Sequence, residues 1–282
     1  MVNGFGAGSV AHRLSALGTQ LVGTVGVSRP DPATVAGRPG GLAARAARAR
    51  AAARDGHRRF VRLVDPPGPH GRATEVDTLS GALRRFLDHP RPPVLLGVVG
   101  ALGAARAVRG DFRASDAVVA VGAAAAQPFV EWSLHRYVLH ATPESRLGSA
   151  TYRGAGWGHA QHHRDPANLN SMFLRAQEVL VGGAVALAAG AAGSPRLATG
   201  MFCVGAAVLA YDWTHFLIHT GYQPRSELYR RAWRGHRLHH YRNEHYWLGV
   251  TSPVADLVLR TSPARDAVPV STTAVRPEAR PA

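Results

Sequence analysis

Apolar residues in this chain come in blocks. Up to residue 76 the sequence is dominated by Gly, Ala, Pro and Arg, in stretches such as GRPGGLAARAARARAAARDGHRR and DPPGPHGR, with few large apolar side chains. Such a segment buries too little apolar surface to offset its chain entropy. Residues 1–76 are therefore expected to be a disordered arm, within which Leu42 to Arg54 has the composition of an Ala/Arg helix. The pattern changes at Asp77. Leu79, Leu83, Phe86 and Leu87 form one helical stripe, with Arg84, Arg85 and Asp88 off it, which predicts a short amphipathic helix lying at a membrane interface. Four apolar runs follow, at Pro93 to Val108, Ala117 to Val130, Val179 to Ala192 and Leu197 to Leu209. Each is shorter than the roughly 20 residues that cross about 30 Å of hydrocarbon, but each extends into its flanks. Their Ala and Gly suit close helix packing in lipid. The pattern predicts an all-α integral membrane protein with about four transmembrane helices, its main domain over residues 77–263 and a disordered tail over 264–282. A soluble Ala-rich helical core is the competing reading, opposed by the number of runs and their Arg-heavy flanks.

The polar positions between these runs are rich in histidine. All but His12, His57, His70 and His89 of the fifteen lie between His135 and His245. They fall in EWSLHRYVLH (His135, His140), GHAQHH (His159, His162, His163), YDWTHFLIHT (His215, His219) and GHRLHHYRNEH (His236, His239, His240, His245). Imidazole is the commonest neutral metal ligand, and ligands one helical turn apart point into the same space. His215 and His219 have that spacing, as do the outer pairs His159/His163 and His236/His240. His135 and His140 are about 140° apart on an ideal helix, so they need a helix end or a π-bulge between them. Ten imidazoles exceed what one tetrahedral or octahedral ion takes, and two metals are expected.

Topology agrees with a shared site. The first two boxes follow the second apolar run and the last two follow the fourth, so the two intervening crossings return the chain to the same face. That face carries Arg136, Arg146, Arg153, Arg164 and Arg175, then Arg225, Arg230, Arg231, Arg234, Arg237 and Arg242, against Arg196 alone between the third and fourth runs. The positive-inside bias makes it cytoplasmic: a cytosolic, histidine-rich helical cap on the inner cell membrane. Arg106, Arg109 and Arg113, between the first two runs, fit that bias poorly; a re-entrant or shallow first run would accommodate them.

Composition narrows the chemistry. The net charge of +15 comes with no lysine and calls for an anionic partner. Given the apolar runs, that partner is expected to be the membrane and not nucleic acid. Cys203 is the only cysteine, which excludes an intrachain disulfide and thiolate-held zinc or iron–sulfur clusters. The first residues lack the pattern of a secretory signal. Imidazole suits Zn, Cu, Fe and Ni alike. A pair of irons would bind O2 and yield an oxidant for an unactivated C–H bond, whereas a zinc hydrolase needs fewer protein ligands per metal. Glu131, four residues before His135, and Asp212, three before His215, are acids in apolar surroundings, where carboxylates are costly and functional. Each is expected to accept the free ring N–H of a ligand histidine, with a Glu131–Arg136 ion pair as the plain alternative. His245 is an additional candidate ligand. Trp132, Tyr211, Trp213, Trp233 and Trp247 read as an interface belt.

The ordered series HX4H, HXXHH, HX3H, HXXHH resembles the fatty acid hydroxylase superfamily, which includes sterol desaturases, sterol methyl oxidases, fatty acid 2-hydroxylases and carotene hydroxylases. The likeness covers roughly Thr78 to Thr261, including EWSLHRYVLH, YDWTHFLIH and the closing GVTSPVADLVLRT. The HX3H box and the LYRRAWRGHRLHHY approach to the last box look most like the fatty acid 2-hydroxylase branch. The resemblance implies a four-helix membrane anchor and a cytosolic pair of Fe ions held by the ten histidines, with Zn as a substitute in isolated protein. It also implies O2 and electrons from an external donor. Eukaryotic 2-hydroxylases carry an attached cytochrome b5 domain, whereas the arm here has no paired haem histidines in an HPGG context. A separate electron-transfer protein, a ferredoxin or cytochrome b5-like partner, is therefore expected, and the Arg-rich face would dock it or hold lipid headgroups. The implied activity is O2-dependent hydroxylation of a lipid, a fatty acyl chain first. Desaturation and carotenoid hydroxylation are the alternatives within the superfamily, and a non-catalytic metal-binding membrane protein the alternative outside it. Asp256 matches an acid in the closing motif and is expected to organise structure.

Overall fold

A computed structural model describes residues 41–274 except 67, 143 and 145; residues 1–40 of the expected arm and 275–282 of the expected tail lie outside the described residues. The chain divides into two units, Met1–Asp55 and Gly56–Ala282. Within the expected arm, helix α1 runs over Leu42–Val64, longer than the Ala/Arg stretch alone predicts. Ala and Arg are among the strongest helix formers and sustain it without a packed face.

Among the described residues four helices are long and apolar enough to cross a bilayer. They are α3 (Arg91–Arg109) and α4 (Ala114–Leu134), the latter running on to Leu139 as a π turn, then α6 (Ala176–Ala192), led in by a short helix Leu169–Met172, and α7 (Pro195–His219). The helices outrun the apolar runs because their polar ends stay helical; α7 continues from Leu209 to His219. Between 11% and 28% of each span is buried, so most of its apolar surface faces outward, where lipid suits it. Helix α7 packs on α3, α4 and α6, and α3 also packs on α6. Glycine permits this: a Cβ at Gly205 would lie 2.9 Å from Leu102 Cδ1.

Each end of the bundle is tied by arginine. At one end Arg91 donates to the carbonyls of Asn170 (2.7 Å) and Phe173 (3.2 Å), joining the starts of α3 and α6 beside the ends of α4 and α7. At the other, Arg106 donates to Thr199 Oγ1 at 2.7 Å and Asp116 Oδ1 at 2.9 Å, and the Thr199 hydroxyl donates to Asp116. Arg109 caps the carbonyls of Gly190, Ala191 and Gly193. Arg106 thus serves inside the bundle and Arg109 at its exposed end, each engaged by the chain itself. Their poor fit to the charge bias has this cause, and α3 is a full-length helix, not a re-entrant stub.

Below the Arg91 end, Ala73, Val76, Ala82, Phe86, Leu169, Met172, Phe173, Phe216 and Leu217 form the main apolar core. Helix α2 (Leu79–Asp88), capped by Thr78, buries Ala82 and Phe86 there. Leu79, Leu83 and Leu87 stay about half exposed, the outward stripe of an interfacial helix. Packing reaches past the expected bounds of 77–263 at both ends. Ala73 is buried and its N–H donates to Ala167 O at 2.8 Å; Val268 is buried and its carbonyl accepts from Arg242 Nε at 2.7 Å. Helices α5 (Trp157–Arg164), α8 (Glu227–Tyr241) and α9 (Val254–Val258) make the cap. The aromatic belt is not realised as a ring at the interface. Trp132 and Trp247 are buried, Trp132 donating to Thr261 Oγ1 at 2.9 Å, Trp213 packs on Phe86, and Tyr211 stacks on His215.

Candidate metal centre

The histidines reach one place because four helical elements present them at matching intervals. At the end of α4 the His140 N–H bonds to the His135 carbonyl at 3.1 Å. This is a π turn, the bulge that the five-residue spacing requires, and it brings the two rings to 5.1 Å, nearly parallel. His159 and His163 lie 4.6 Å apart on α5, His215 and His219 4.9 Å apart on α7, and His236 and His240 4.6 Å apart on α8.

All ten fall into two groups of five: His135, His140, His159, His163 and His239, and His162, His215, His219, His236 and His240. In each group one ring nitrogen per residue lies within 4.8 Å of all the others. The first box goes wholly to one group and the third wholly to the other. The HXXHH boxes divide between them, the i, i+4 pair to one side and the middle residue to the other. Each triplet therefore bridges both groups.

The chemistry of the donors shows what they fit. His135 Nδ1 donates to Leu248 O at 2.6 Å and His239 Nδ1 to Tyr246 O at 2.8 Å. A carbonyl only accepts, so Nδ1 carries the proton and Nε2 presents a lone pair. Those Nε2 atoms meet others head-on: His135 to His159 at 3.2 Å, His239 to His140 at 3.1 Å, and His239 to His163 at 3.2 Å. In the second group His236 Nε2 approaches His219 at 3.2 Å and His240 at 3.0 Å. The buried nitrogens His162 Nδ1 and Nε2, His215 Nε2, His236 Nδ1 and His240 Nδ1 have no hydrogen-bond partner among the described residues. Burial, reinforced by neighbouring imidazoles, pushes His140 down to about 2 and His163 to about 3, and holds His159, His162, His236, His239 and His240 well below the usual range. Neutral imidazoles with converging lone pairs repel one another unless a cation lies between them. The residues fit a divalent metal in each group.

The predicted acids act one step further out than expected. Among the described residues the Glu131 carboxylate bonds no histidine ring and does not pair with Arg136; it accepts from the N–H groups of Val250 (2.5 Å) and Thr251 (2.9 Å). His135 Nδ1 is already committed to Leu248 O in the same loop. Asp212 likewise accepts from Leu174 N at 3.3 Å, and the carbonyl of neighbouring Met172 bonds His215. Asp256 accepts from Leu248 and Gly249 N–H at 3.0 and 2.7 Å, the organising role expected of it. His245 joins neither group. Helix α8 ends at Tyr241, so helical spacing no longer carries it inward, and its side chain is 73% exposed. The carbonyls of Tyr246, Leu248 and Met172 were not foreseeable, since every residue has one.

Two cavities meet at the centre. An apolar one of about 390 Å³ between α4 and α7 is lined by Val130, Leu134, Val204, Val208 and Tyr211 and ends on His135. A second, less apolar one of about 370 Å³ is lined in part by Arg91, Arg164, Arg175, His159, His162 and His215. Leu139, Leu174 and Tyr211 line both.

Four membrane spans carrying two histidine clusters at one end define a multi-pass membrane protein with a candidate dinuclear metal centre. The chain belongs to the fatty acid hydroxylase family, whose profile matches residues 120–261, the stretch holding all ten histidines. It is 28% identical over 141 residues to a dihydroceramide fatty acyl 2-hydroxylase of Arabidopsis thaliana, a match taking in 49% of this chain and 58% of that one. The chain thus spans somewhat over half the length of this curated relative. A solved structure described as full-length Scs7p, with only the hydroxylase domain visible, is 22% identical, covers 70% of each chain and has a TM-score of 0.48.

Proposed function

We propose that this protein is a membrane-bound di-iron enzyme that uses O2 to hydroxylate a lipid, a fatty acyl chain above all. The observation that carries the proposal is the pair of five-histidine groups set against an apolar cavity open between two spans. Family membership supports it, as does the activity in the name of the Arabidopsis relative. His135, His140, His159, His163 and His239 would hold one iron, and His162, His215, His219, His236 and His240 the other. The irons, when bound, supply the electron transfer that O2 activation requires. One oxygen atom enters a C–H bond and the other leaves as water, so electrons must arrive from outside.

The chain supplies position and a dry environment. The cavity walls of Ala123, Ala126, Ala207 and Val208 leave room for an acyl chain, which gains about 25 cal/mol for each Å² of apolar surface removed from water. His135 closes the cavity and sets how far a chain slides in. Glu131 and Asp212 hold the segments that orient His135 and His215. The Arg-rich face, with Arg225, Arg234 and Arg237, suits docking of a separate acidic electron-transfer protein of the ferredoxin or cytochrome b5-like kind, and the same charges support a centre on the cytoplasmic side of the inner membrane.

The test is lipid analysis of cells expressing the intact chain beside cells expressing His159→Ala. A lipid one oxygen heavier than its precursor, present only with the intact chain, is expected. Loss of two hydrogens in place of gain of oxygen would make the enzyme a desaturase, and identical profiles would make it a non-catalytic metal protein.

A further inference from the structure

Resting on that metal-centre proposal, we infer that Glu131 and Asp256 are positioning residues for one of the two sites only: together they lock the loop Tyr246–Thr251, whose carbonyls aim His135 and His239. Four consecutive backbone amides in this loop each end on a carboxylate. Leu248 and Gly249 donate to Asp256 at 3.0 and 2.7 Å; Val250 and Thr251 donate to Glu131 at 2.5 and 2.9 Å. Glu131 also accepts from Gln127 Nε2 (2.6 Å) and the Thr251 hydroxyl, and Asp256 from the Thr261 hydroxyl. The two acids come from different elements, Glu131 from span α4 and Asp256 from α9. The loop is therefore stapled between the membrane bundle and the cap.

Its backbone carries the marks of a segment held from outside. Buried Trp247 has φ of 53°, a left-handed conformation that bulky residues avoid and that persists where surrounding structure over-determines it. The residues on either side of it provide the two carbonyls, Tyr246 O for His239 and Leu248 O for His135. At Gly249 a Cβ would collide with the Ser252 carbonyl oxygen and lie 3.0 Å from Asp256 Oδ2, so both the fold of the loop on itself and the approach of the acid need the absent side chain.

Both histidines so aimed belong to the same group. The other group receives the Met172 carbonyl on His215, while His162, His236 and His240 each keep a ring nitrogen without a hydrogen-bond partner among the described residues. Partners behind a ligand fix its tautomer and orientation, and losing them weakens metal binding about 10- to 100-fold. The clamp thus makes the two sites unequal.

The experiment loads full-length protein in detergent with Fe(II) under anaerobic conditions and titrates it with a competing chelator. Glu131→Ala should release one of its two iron equivalents at chelator levels about 10- to 100-fold lower than wild type, leaving the second equivalent unmoved. In a His215→Ala background the surviving equivalent should respond to Glu131→Ala; in a His135→Ala background it should not. Should Glu131→Ala not fold, Thr251→Val removes a single donor and should shift the same equivalent in the same direction by less. Equal weakening of both equivalents, or of neither, overturns the clamp while leaving the metal centre standing. A wild type that binds no iron overturns both.

Discussion

The two ends of the bundle both bury polar groups, and they do so in opposite ways. At the Arg106 end every partner is supplied by the chain: guanidinium, carboxylate, hydroxyl and carbonyls close on one another. At the histidine end ring nitrogens face ring nitrogens and several have no hydrogen-bond partner among the described residues. Burial alone does not separate structure from function inside a membrane protein. The separation comes from whether donors and acceptors balance. A set that balances holds helices together, and one in which lone pairs converge on each other suits a cation.

The largest effect that can break this contrast comes from acid. His140 and His163 sit at about 2 and about 3 in the folded chain against a usual value of 6.5. Between those limits the unfolded chain binds more protons, so stability rises with pH through that window, is complete above 6.5, and is lost as pH falls below it. Chelator-stripped protein should therefore unfold at progressively lower temperature below about pH 6.5. Iron-loaded protein, whose nitrogens are engaged by metal, should hold until the metal leaves. Thermal unfolding in detergent across that range, stripped beside loaded, checks this. Coincident curves would mean the imidazoles are not an unsatisfied set.

A smaller effect is expected at the opposite end. Arg106→Ala leaves the Asp116 carboxylate without its guanidinium and should lower stability more than any substitution at this end that spares both charges, while iron content per folded chain should not change. Replacing the pair together, Arg106→Met with Asp116→Leu, should recover most of the loss, since a buried ion pair is readily replaced by apolar residues of similar volume. Iron loss in Arg106→Ala, measured on the folded fraction, would show that the ends are coupled and that the bundle does not isolate them.

What sequence disclosed follows the same divide. The spans were legible as apolar runs, and the metal end was legible because imidazoles have a side-chain signature and a spacing. Even the π turn between His135 and His140 followed from two ligands five residues apart. The supports were not legible. Glu131 stands beside His135 in sequence, yet its partners are backbone amides 119 and 120 residues away, and the carbonyls that orient the ligands look like any others. His245 misled because box spacing assumes a helix that has already ended at Tyr241. Arg106 and Arg109 counted as loop charge, since nothing local pairs them with Thr199 or the carbonyls of Gly190 and Gly193.

The finest probe of the contrast is Thr199. Its Oγ1 accepts from Arg106 Nε at 2.7 Å and donates to Asp116, so a single hydroxyl closes the balanced set across three helices. Thr199→Val keeps the shape and removes both bonds, leaving one donor and one acceptor short; the expected loss is about 1–3 kcal/mol, below that of Arg106→Ala because the charges still pair directly at 2.9 Å. Thr199→Ser keeps the hydroxyl and should cost well under that. Denaturant unfolding of the three proteins in one detergent gives the order. If Thr199→Val matched Arg106→Ala, the hydroxyl and not the ion pair would be holding that end, and the balance of partners, more than the pairing of charge, would decide what a membrane helix tolerates.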